Sequence, residues 1–199
     1  MVSMVTMLIN NSMDLLLNLT LLVALSILSG FIEKRWSSAT RTGTLWQGAL
    51  FGVTTLFGML RPLVLGPGVM FDGRSVMISL CGLFFGPLAV AVAGLPAIAY
   101  RLSLGGPGVY MGVLTVLSAS AIGLWSRYRF RPLENPPSGI QLYLFGLAVH
   151  VAMLAGAVTI PASGGLSVLR SIGLPVMLLY PLATVLAGKI LADQVVSGR

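Results

Sequence analysis

Six long apolar runs dominate this chain, and they decide the solvent in which it folds. The runs cover residues 15–32, 45–65, 75–99, 109–126, 140–160 and 171–192. At 1.5 Å rise per residue, about 20 helical residues cross a hydrocarbon layer roughly 30 Å thick. Because 56% of the 199 residues are hydrophobic and only 9% are charged, the sequence predicts an all-α integral membrane protein.

The positive residues between the runs predict how often the chain crosses. They form two clusters, Lys34, Arg35 and Arg41, and Arg127, Arg129 and Arg131. The positive-inside rule places both clusters in the cytoplasm, so an even number of crossings must separate them. Since residues 45–65 and 109–126 supply two crossings, we expect residues 75–99 to enter the membrane and return on the same side. The net charge of +7 therefore reflects topology, and no nucleic-acid partner is expected.

The run at 75–99 contains residues that allow it to turn back. Gly82, Gly86 and Pro87 interrupt it near the middle and leave two pieces that are each too short to span a bilayer. We therefore predict a single domain over residues 1–199, with five transmembrane helices and a re-entrant helical hairpin. The N-terminus would lie outside and the C-terminus in the cytoplasm. Six transmembrane helices is the alternative.

Four arginines remain on the outer side in this topology, and two of them are candidates for ligand binding. The hairpin would bring Arg74 and Arg101, at its two ends, to one surface. A guanidinium stays charged and grips a carboxylate through two parallel hydrogen bonds, so we predict a site for a small anion. Arg61 and Arg170 lie near the ends of full spans and are expected to extend to lipid phosphates.

Further polar groups near these arginines are candidates for the same site. They are Asp72, Ser75, Gly105, Gly106, Gly108, Thr115 and Ser118. Asp72 would orient a guanidinium, and the Gly-rich segment before the next helix would offer backbone N–H donors to an anion. Thr115 and Ser118 have i, i+3 spacing, so their hydroxyls would share one helix face.

Other reactive residue types suggest packing rather than chemistry. His150, the single histidine, is expected to be neutral and hydrogen-bonded to a neighbouring helix, with proton sensing or ligand contact as the alternative. Cys81 lies in an apolar run, where a free cysteine ordinarily packs. The sequence has no phosphate-binding loop, metal-ligand cluster or nucleophile motif, so we expect no enzyme activity, no metal and no cofactor.

Three segments together resemble the LytS-type five-transmembrane sensor region of bacterial sensor histidine kinases and diguanylate cyclases. They are Asp72-Gly73-Arg74-Ser75-Val76, Gly82-Leu83-Phe84-Phe85-Gly86-Pro87, and Tyr100-Arg101 followed by Gly105-Gly106-Pro107-Gly108. The resemblance implies a receptor in the inner membrane, which reports on external carboxylates such as pyruvate or on the state of the cell envelope and its wall. It also implies a cytoplasmic output domain, two-component signalling and a homodimer. Arg74 and Arg101 match the family's motif arginines.

One departure from the family and one rival class remain. No phospho-accepting histidine box or ATP-binding motif follows Arg199, so we expect a sensor module without its output domain. The rival is the substrate-binding component of a small-molecule membrane transporter. Such a component needs small residues facing a coupling partner, for which Ala119 and residues 121–123 are the candidates.

Overall fold

A computed structural model of the chain describes residues 20–60, 63–66, 69–132, 134–160 and 164–197. Its helices are α1 (described over 20–35), α2 (Arg41–Leu60), α3 (Arg74–Leu104), α4 (Val109–Phe130), α5 (Gly139–Ala155) and α6 (Gly164–Ser197). A 3₁₀ turn, Gly156–Thr159, extends α5. Four candidate spans in the described part are long and apolar enough to cross a membrane, within α3, α4, α5 with its 3₁₀ turn, and α6. The prediction of an all-α membrane domain is confirmed.

The structure adds one small element that the apolar pattern did not indicate. Where the run at 45–65 was expected to be helical throughout, α2 ends at Leu60 and two short antiparallel strands follow. These strands are β1 (Leu63–Gly66) and β2 (Val69–Phe71), with Leu63 paired to Phe71. The sequence explains the end of α2, because Pro62 has no N–H with which to continue the helical ladder.

Helix α3 reverses direction at Gly86. This glycine has φ 84° and ψ −167°, the one non-helical conformation inside the element, so the first arm covers residues 74–85 and the second 87–104. Gly82, which the sequence also offered as a break, is helical. Glycine occupies this region of φ without the steric cost that a Cβ would bring. At 1.5 Å per residue the arms are about 18 and 27 Å long.

The neighbours of α4 show the reversal directly. In the first arm, Ser79 and Gly82 lie against Gly123 of α4, and Gly86 lies against Arg127. In the second arm, Gly94 lies against Val116, and Arg101 lies against Gly112. As the residue number rises along α3, its contacts on α4 move from Gly123 to Arg127 and then return to Val116 and Gly112. The first arm is parallel to α4 and the second arm is antiparallel to it.

The first arm of α3 forms the centre of the bundle. Every residue from 74 to 85 is buried, on all sides of the helix. An arm that is apolar all round is expected to lie inside other helices, and α2 and α4 pack against α3 while α5 and α6 pack against each other. Cys81 is fully buried in this arm, in line with a packing role. Because the arm is short, its polar first turn lies within the bundle.

The two ends of the bundle differ in charge. Arg127 lies beside the reversal at Gly86, and Gln194 near the end of α6 lies against Gly30 of α1. The loop after α1, the end of α4 and the end of α6 therefore share one end. This basic end carries Lys34, Arg35, Arg41, Arg127, Arg129, Arg131 and Lys189. Arg74 and Arg101 lie toward the opposite end.

Helix boundaries also differ from those of the predicted runs, most of all at the start of α6. The apolar run at 171–192 predicts the last helix, but α6 already begins at Gly164. The start of α6 is held by packing, since Gly165 lies close to the backbone of Ala157 in the 3₁₀ turn. Pro175 and Pro181 remain inside α6 because neighbouring helices can accommodate the freed backbone groups. The predicted start of the first span at residue 15 lies outside the described residues.

Candidate functional site

A buried ion pair opens α3. The carboxylate of Asp72 accepts the backbone N–H of Arg74 at 3.0 Å, and Arg74 Nε lies 3.3 Å from Asp72 Oδ1. Both side chains are buried, and Arg74 is 6% exposed. A charge inside a membrane bundle is retained where it pairs or performs a function, and Asp72 supplies such a partner. Asp72 therefore contacts the guanidinium that it is predicted to orient.

Arg101 reaches the same place from the last turn of α3. It is 2% exposed, and its electrostatic interactions include both Arg74 and Asp72. Its Nη1 donates a hydrogen bond to the carbonyl oxygen of Gly105 at 3.0 Å. Without the reversal at Gly86, the first and last turns of α3 would lie at opposite ends of a long helix. The reversal therefore brings the two arginines within electrostatic range of each other.

The cluster carries an excess of positive charge. Among the described residues, the buried charged side chains are Asp72, Arg74, Arg101 and Glu33. Glu33 lies at the basic end, where it accepts hydrogen bonds from Ser37 and Ser38. The remaining three give two positive charges and one negative charge, a net charge of +1. Arg74 Nη1 is buried and has no hydrogen-bond partner among the described residues, which ordinarily costs about 1–3 kcal/mol.

A second polar group connects this cluster to α5. His150 is fully buried, and its Nδ1 lies 2.7 Å from the carbonyl oxygen of Gly146. A carbonyl only accepts, so Nδ1 carries the proton, and in the neutral ring Nε2 accepts from the Ser75 hydroxyl at 3.1 Å. The hydrogen bond between His150 and a neighbouring helix, predicted from the sequence, is therefore present. Ser75 directly follows Arg74, so the bond ties α5 to the cluster.

Helix α6 contributes a residue that the sequence analysis missed. The ring of Tyr180 lies 5.3 Å from the ring of His150, centroid to centroid, and Tyr180 also interacts electrostatically with Asp72. A tyrosine in an apolar run gives one weak signal, since its hydroxyl needs a polar partner when buried. Nothing in the spacing indicated which helix it would meet. The cluster is thus bordered by α3, α5 and α6.

The Gly-rich segment acts differently from its predicted role. The carbonyl oxygen of Gly105 accepts a hydrogen bond from Arg101. The N–H of Gly105 donates to the carbonyl oxygen of Leu102 at the end of α3. Gly106 is exposed and Gly108 precedes the first turn of α4. The expectation that Gly105 would present an N–H donor to an anion is therefore wrong in this arrangement. Its carbonyl instead orients one of the arginines.

The hydroxyls predicted on α4 are bonded within their own helix. Thr115 Oγ1 donates to the carbonyl of Met111 at 2.8 Å, and Ser118 Oγ donates to the carbonyl of Thr115 at 3.3 Å. Thr115 is buried and lies one turn beyond Gly112, the contact of Arg101, whereas Ser118 is only half-buried. Arg170 is exposed, and Arg61 lies outside the described residues.

Two of the small residues considered for a transporter coupling surface, Ala119 and Gly123, pack inside the molecule, whereas Ala121 is exposed. Gly123 lies against the backbone of Ser79 in α3, and Ala119 is fully buried. Small residues let helix backbones approach closely, and here that approach is between α3 and α4. These contacts give no support to a coupling surface at this position.

The fold and the buried cluster define a multi-pass membrane domain with charged side chains in its interior. A family model described as 5TMR of 5TMR-LYT (5TM-5TMR_LYT) matches residues 31–194, and the chain belongs to this family. The predicted LytS-type resemblance is thereby confirmed, and the region is a non-catalytic transmembrane input domain. The match includes Arg74, Arg101, His150 and Tyr180. Searches of curated proteins and of solved structures found no significant match.

Proposed function

We propose that this domain detects a small monocarboxylate, such as pyruvate, which binds between Arg74 and Arg101. The observation that carries the proposal is the buried cluster with a net charge of +1, in which Arg74 Nη1 has no hydrogen-bond partner among the described residues. A monocarboxylate brings one negative charge and two oxygen acceptors. It would neutralise the cluster and accept hydrogen bonds from both guanidinium groups.

The geometry also restricts the class of ligand. The two arginines come from the two arms of α3 and are almost completely buried, so a ligand that contacts both must fit inside the bundle. A dianion would replace an excess of positive charge with an excess of negative charge, which is costly in a low-dielectric setting. These two constraints together favour a small monoanion over a phosphate ester or a peptide.

The signal would leave the site through α6. Tyr180 of α6 interacts with Asp72, and further along the same helix Gln194 lies against Gly30 at the basic end. A ligand beside Arg74 alters the balance of charge around Asp72, so it would favour a different position of Tyr180. A ligand shifts an equilibrium only through interactions that differ between two states, and we propose that the electrostatic interaction between Tyr180 and Asp72 is the one that differs. The displaced helix would act on a cytoplasmic kinase or cyclase domain.

We further propose that the domain lies in the bacterial inner membrane with the arginine cluster on the outer side. The basic end would face the cytoplasm, in keeping with the positive-inside rule, and its arginines would contact anionic lipids. The N-terminus would then be outside and the C-terminus inside. Membrane sensors of this class commonly signal as dimers, so we expect a homodimer.

Calorimetric titration of the purified domain with pyruvate and acetate tests the ligand proposal. Loss of charge-assisted hydrogen bonds in Arg74→Ala or Arg101→Ala is expected to weaken binding about 10- to 100-fold. Arg170→Ala is the matched control, since this arginine is exposed and lies in the first turns of α6, away from the basic end. Unchanged affinity in both cluster variants, or no binding by the wild type, would refute the proposal. Proteoliposomes should bind the acid without accumulating it, unlike those containing a transporter.

A further inference from the structure

Arg101 lies across a glycine that leaves no room for a side chain. A Cβ placed on Gly112 of α4 would lie 2.6 Å from Arg101 Nε and 2.9 Å from both Cδ and Cγ. Non-bonded heavy atoms approach comfortably at about 3.5–4.0 Å, so even a methyl group here requires a movement. The atoms that would move belong to the Arg101 side chain, whereas the backbone of α4 is fixed by its own hydrogen bonds.

The position of Arg101 is otherwise held against a repulsive force. Arg101 is repelled by the like charge of Arg74 and attracted by the opposite charge of Asp72, and the Gly105 carbonyl accepts one hydrogen bond from Nη1. Because Arg101 is 2% exposed, its guanidinium lies among other buried groups, and a push on its stem away from α4 would move it relative to those groups. A small displacement would therefore alter both the Gly105 hydrogen bond and the relation of the two guanidinium groups.

We propose that Gly112 is a positioning residue, which lets the stem of Arg101 lie flat on α4 so that its guanidinium converges with that of Arg74. Its effect on affinity rests on the proposed function, because it assumes that the two guanidinium groups share a carboxylate. The steric half of the proposal does not depend on any ligand. A side chain at position 112 would push Arg101 away from α4 and move its guanidinium out of its position relative to that of Arg74.

A double-mutant cycle on thermal unfolding tests the steric half without ligand. Gly112→Ala should lower Tm by roughly 3 °C or more in the wild-type background, because the methyl group collides with Arg101. In an Arg101→Ala background the same change should leave Tm unchanged or raise it, since alanine favours a helix over glycine. Equal effects of Gly112→Ala in the two backgrounds would overturn the proposal.

Gly94→Ala is the matched control for this cycle. Gly94 also lies between α3 and α4, but a Cβ there would be 3.4 Å from Val116 Cγ1, close to ordinary contact, and is not directed at Arg101. We expect Gly94→Ala to leave Tm unchanged or slightly higher. If Gly112→Ala fails to fold, folding of the Arg101→Ala/Gly112→Ala double variant would support the clash. Failure of both, with Arg101→Ala folded, would overturn it.

Titration with pyruvate then tests the link to affinity. Gly112→Ala should bind at least about 10-fold more weakly than the wild type, with Gly94→Ala within about twofold. In the Arg101→Ala background, Gly112→Ala should cause no further loss, whereas a general packing defect would still weaken binding. If the wild type binds no acid, the ligand assignment fails, and the Tm cycle still decides whether Gly112 positions Arg101.

Discussion

Arg74 and Arg101, in the first and last turns of α3, interact with each other because the helix reverses at Gly86. A continuous helix over the same residues would be about 45 Å long and would hold these side chains at opposite ends. The reversal brings two like charges into one buried cluster with a single carboxylate, Asp72. This cluster is the place where we propose that an anion binds.

Removing the negative charge of the cluster should destabilise the domain when no anion is bound. Asp72→Asn keeps an oxygen that can accept the Arg74 N–H, but it leaves two positive charges uncompensated. Loss of one partner from a buried ion pair costs about 3 kcal/mol, so we expect a lower Tm. Pyruvate should then raise Tm by more in the variant than in the wild type. An unchanged Tm would mean that Asp72 does not balance Arg74.

The reversal in α3 should depend on glycine at position 86. Gly86→Ala places a Cβ on a backbone with φ 84°, and that Cβ would lie 3.3 Å from Arg127 Nε. The strained conformation alone is expected to cost about 1–3 kcal/mol, measured by thermal unfolding. Gly139→Ala is the control, because a Cβ at that position meets nothing within 4 Å. Equal stability of the two variants would contradict the prediction.

Arg127 should stabilise the same reversal from α4. Its Nη1 donates to the carbonyl oxygens of Leu83 and Phe84 near the end of the first arm. The helical partner of the Leu83 carbonyl would be Pro87, which has no N–H to donate. Arg127→Ala should therefore destabilise the domain by about 1.5–3 kcal/mol, the range for hydrogen bonds to a charged group. Arg129→Ala, an exposed neighbour on the same helix, should change stability by less than about 0.5 kcal/mol. The comparison fails if both variants melt alike.

The hydrogen bond between Ser75 and His150 should couple α3 to α5. His150→Phe keeps an aromatic ring beside Tyr180 but leaves the Ser75 hydroxyl without its acceptor, at an expected cost of about 1–3 kcal/mol. Adding Ser75→Ala to His150→Phe should then cost little more than His150→Phe alone. Thermal unfolding of the single and double variants measures this coupling, and strictly additive losses would show that the two residues act independently.

Cysteine labelling tests the proposed orientation. Ser103 is exposed near the end of α3, at the end of the bundle that carries the arginine cluster, and the native Cys81 is fully buried. A membrane-impermeant maleimide added to cells with a permeable outer membrane should label Ser103→Cys. Arg129→Cys, at the basic end, should react only after the inner membrane is opened. The reverse pattern would exclude an N-terminus outside.

Sequence reasoning predicted the helical hairpin and its two terminal arginines, since both follow from charge position and chain length. It did not predict the contacts of Gly105, Gly112 or Tyr180. In a chain that is apolar on almost every helix face, the hydrophobic pattern says little about which side of a helix meets a neighbour. The rotation of α4 and α6 about their own axes therefore could not be deduced, and the contacts depend on it.

The sequence by itself determined that the chain folds in a membrane and to which family it belongs. It also determined that the basic loops lie at one end of the bundle and the arginine cluster toward the other. These follow from transfer free energies and motifs that belong to single residues or short segments. The tertiary structure decided that Gly86, rather than Gly82, makes the reversal, and that His150 and Tyr180 border the cluster. It also decided that Gly105 meets Arg101 through its carbonyl. Such relations arise from close packing between helices, where a difference of one side chain decides which atoms meet.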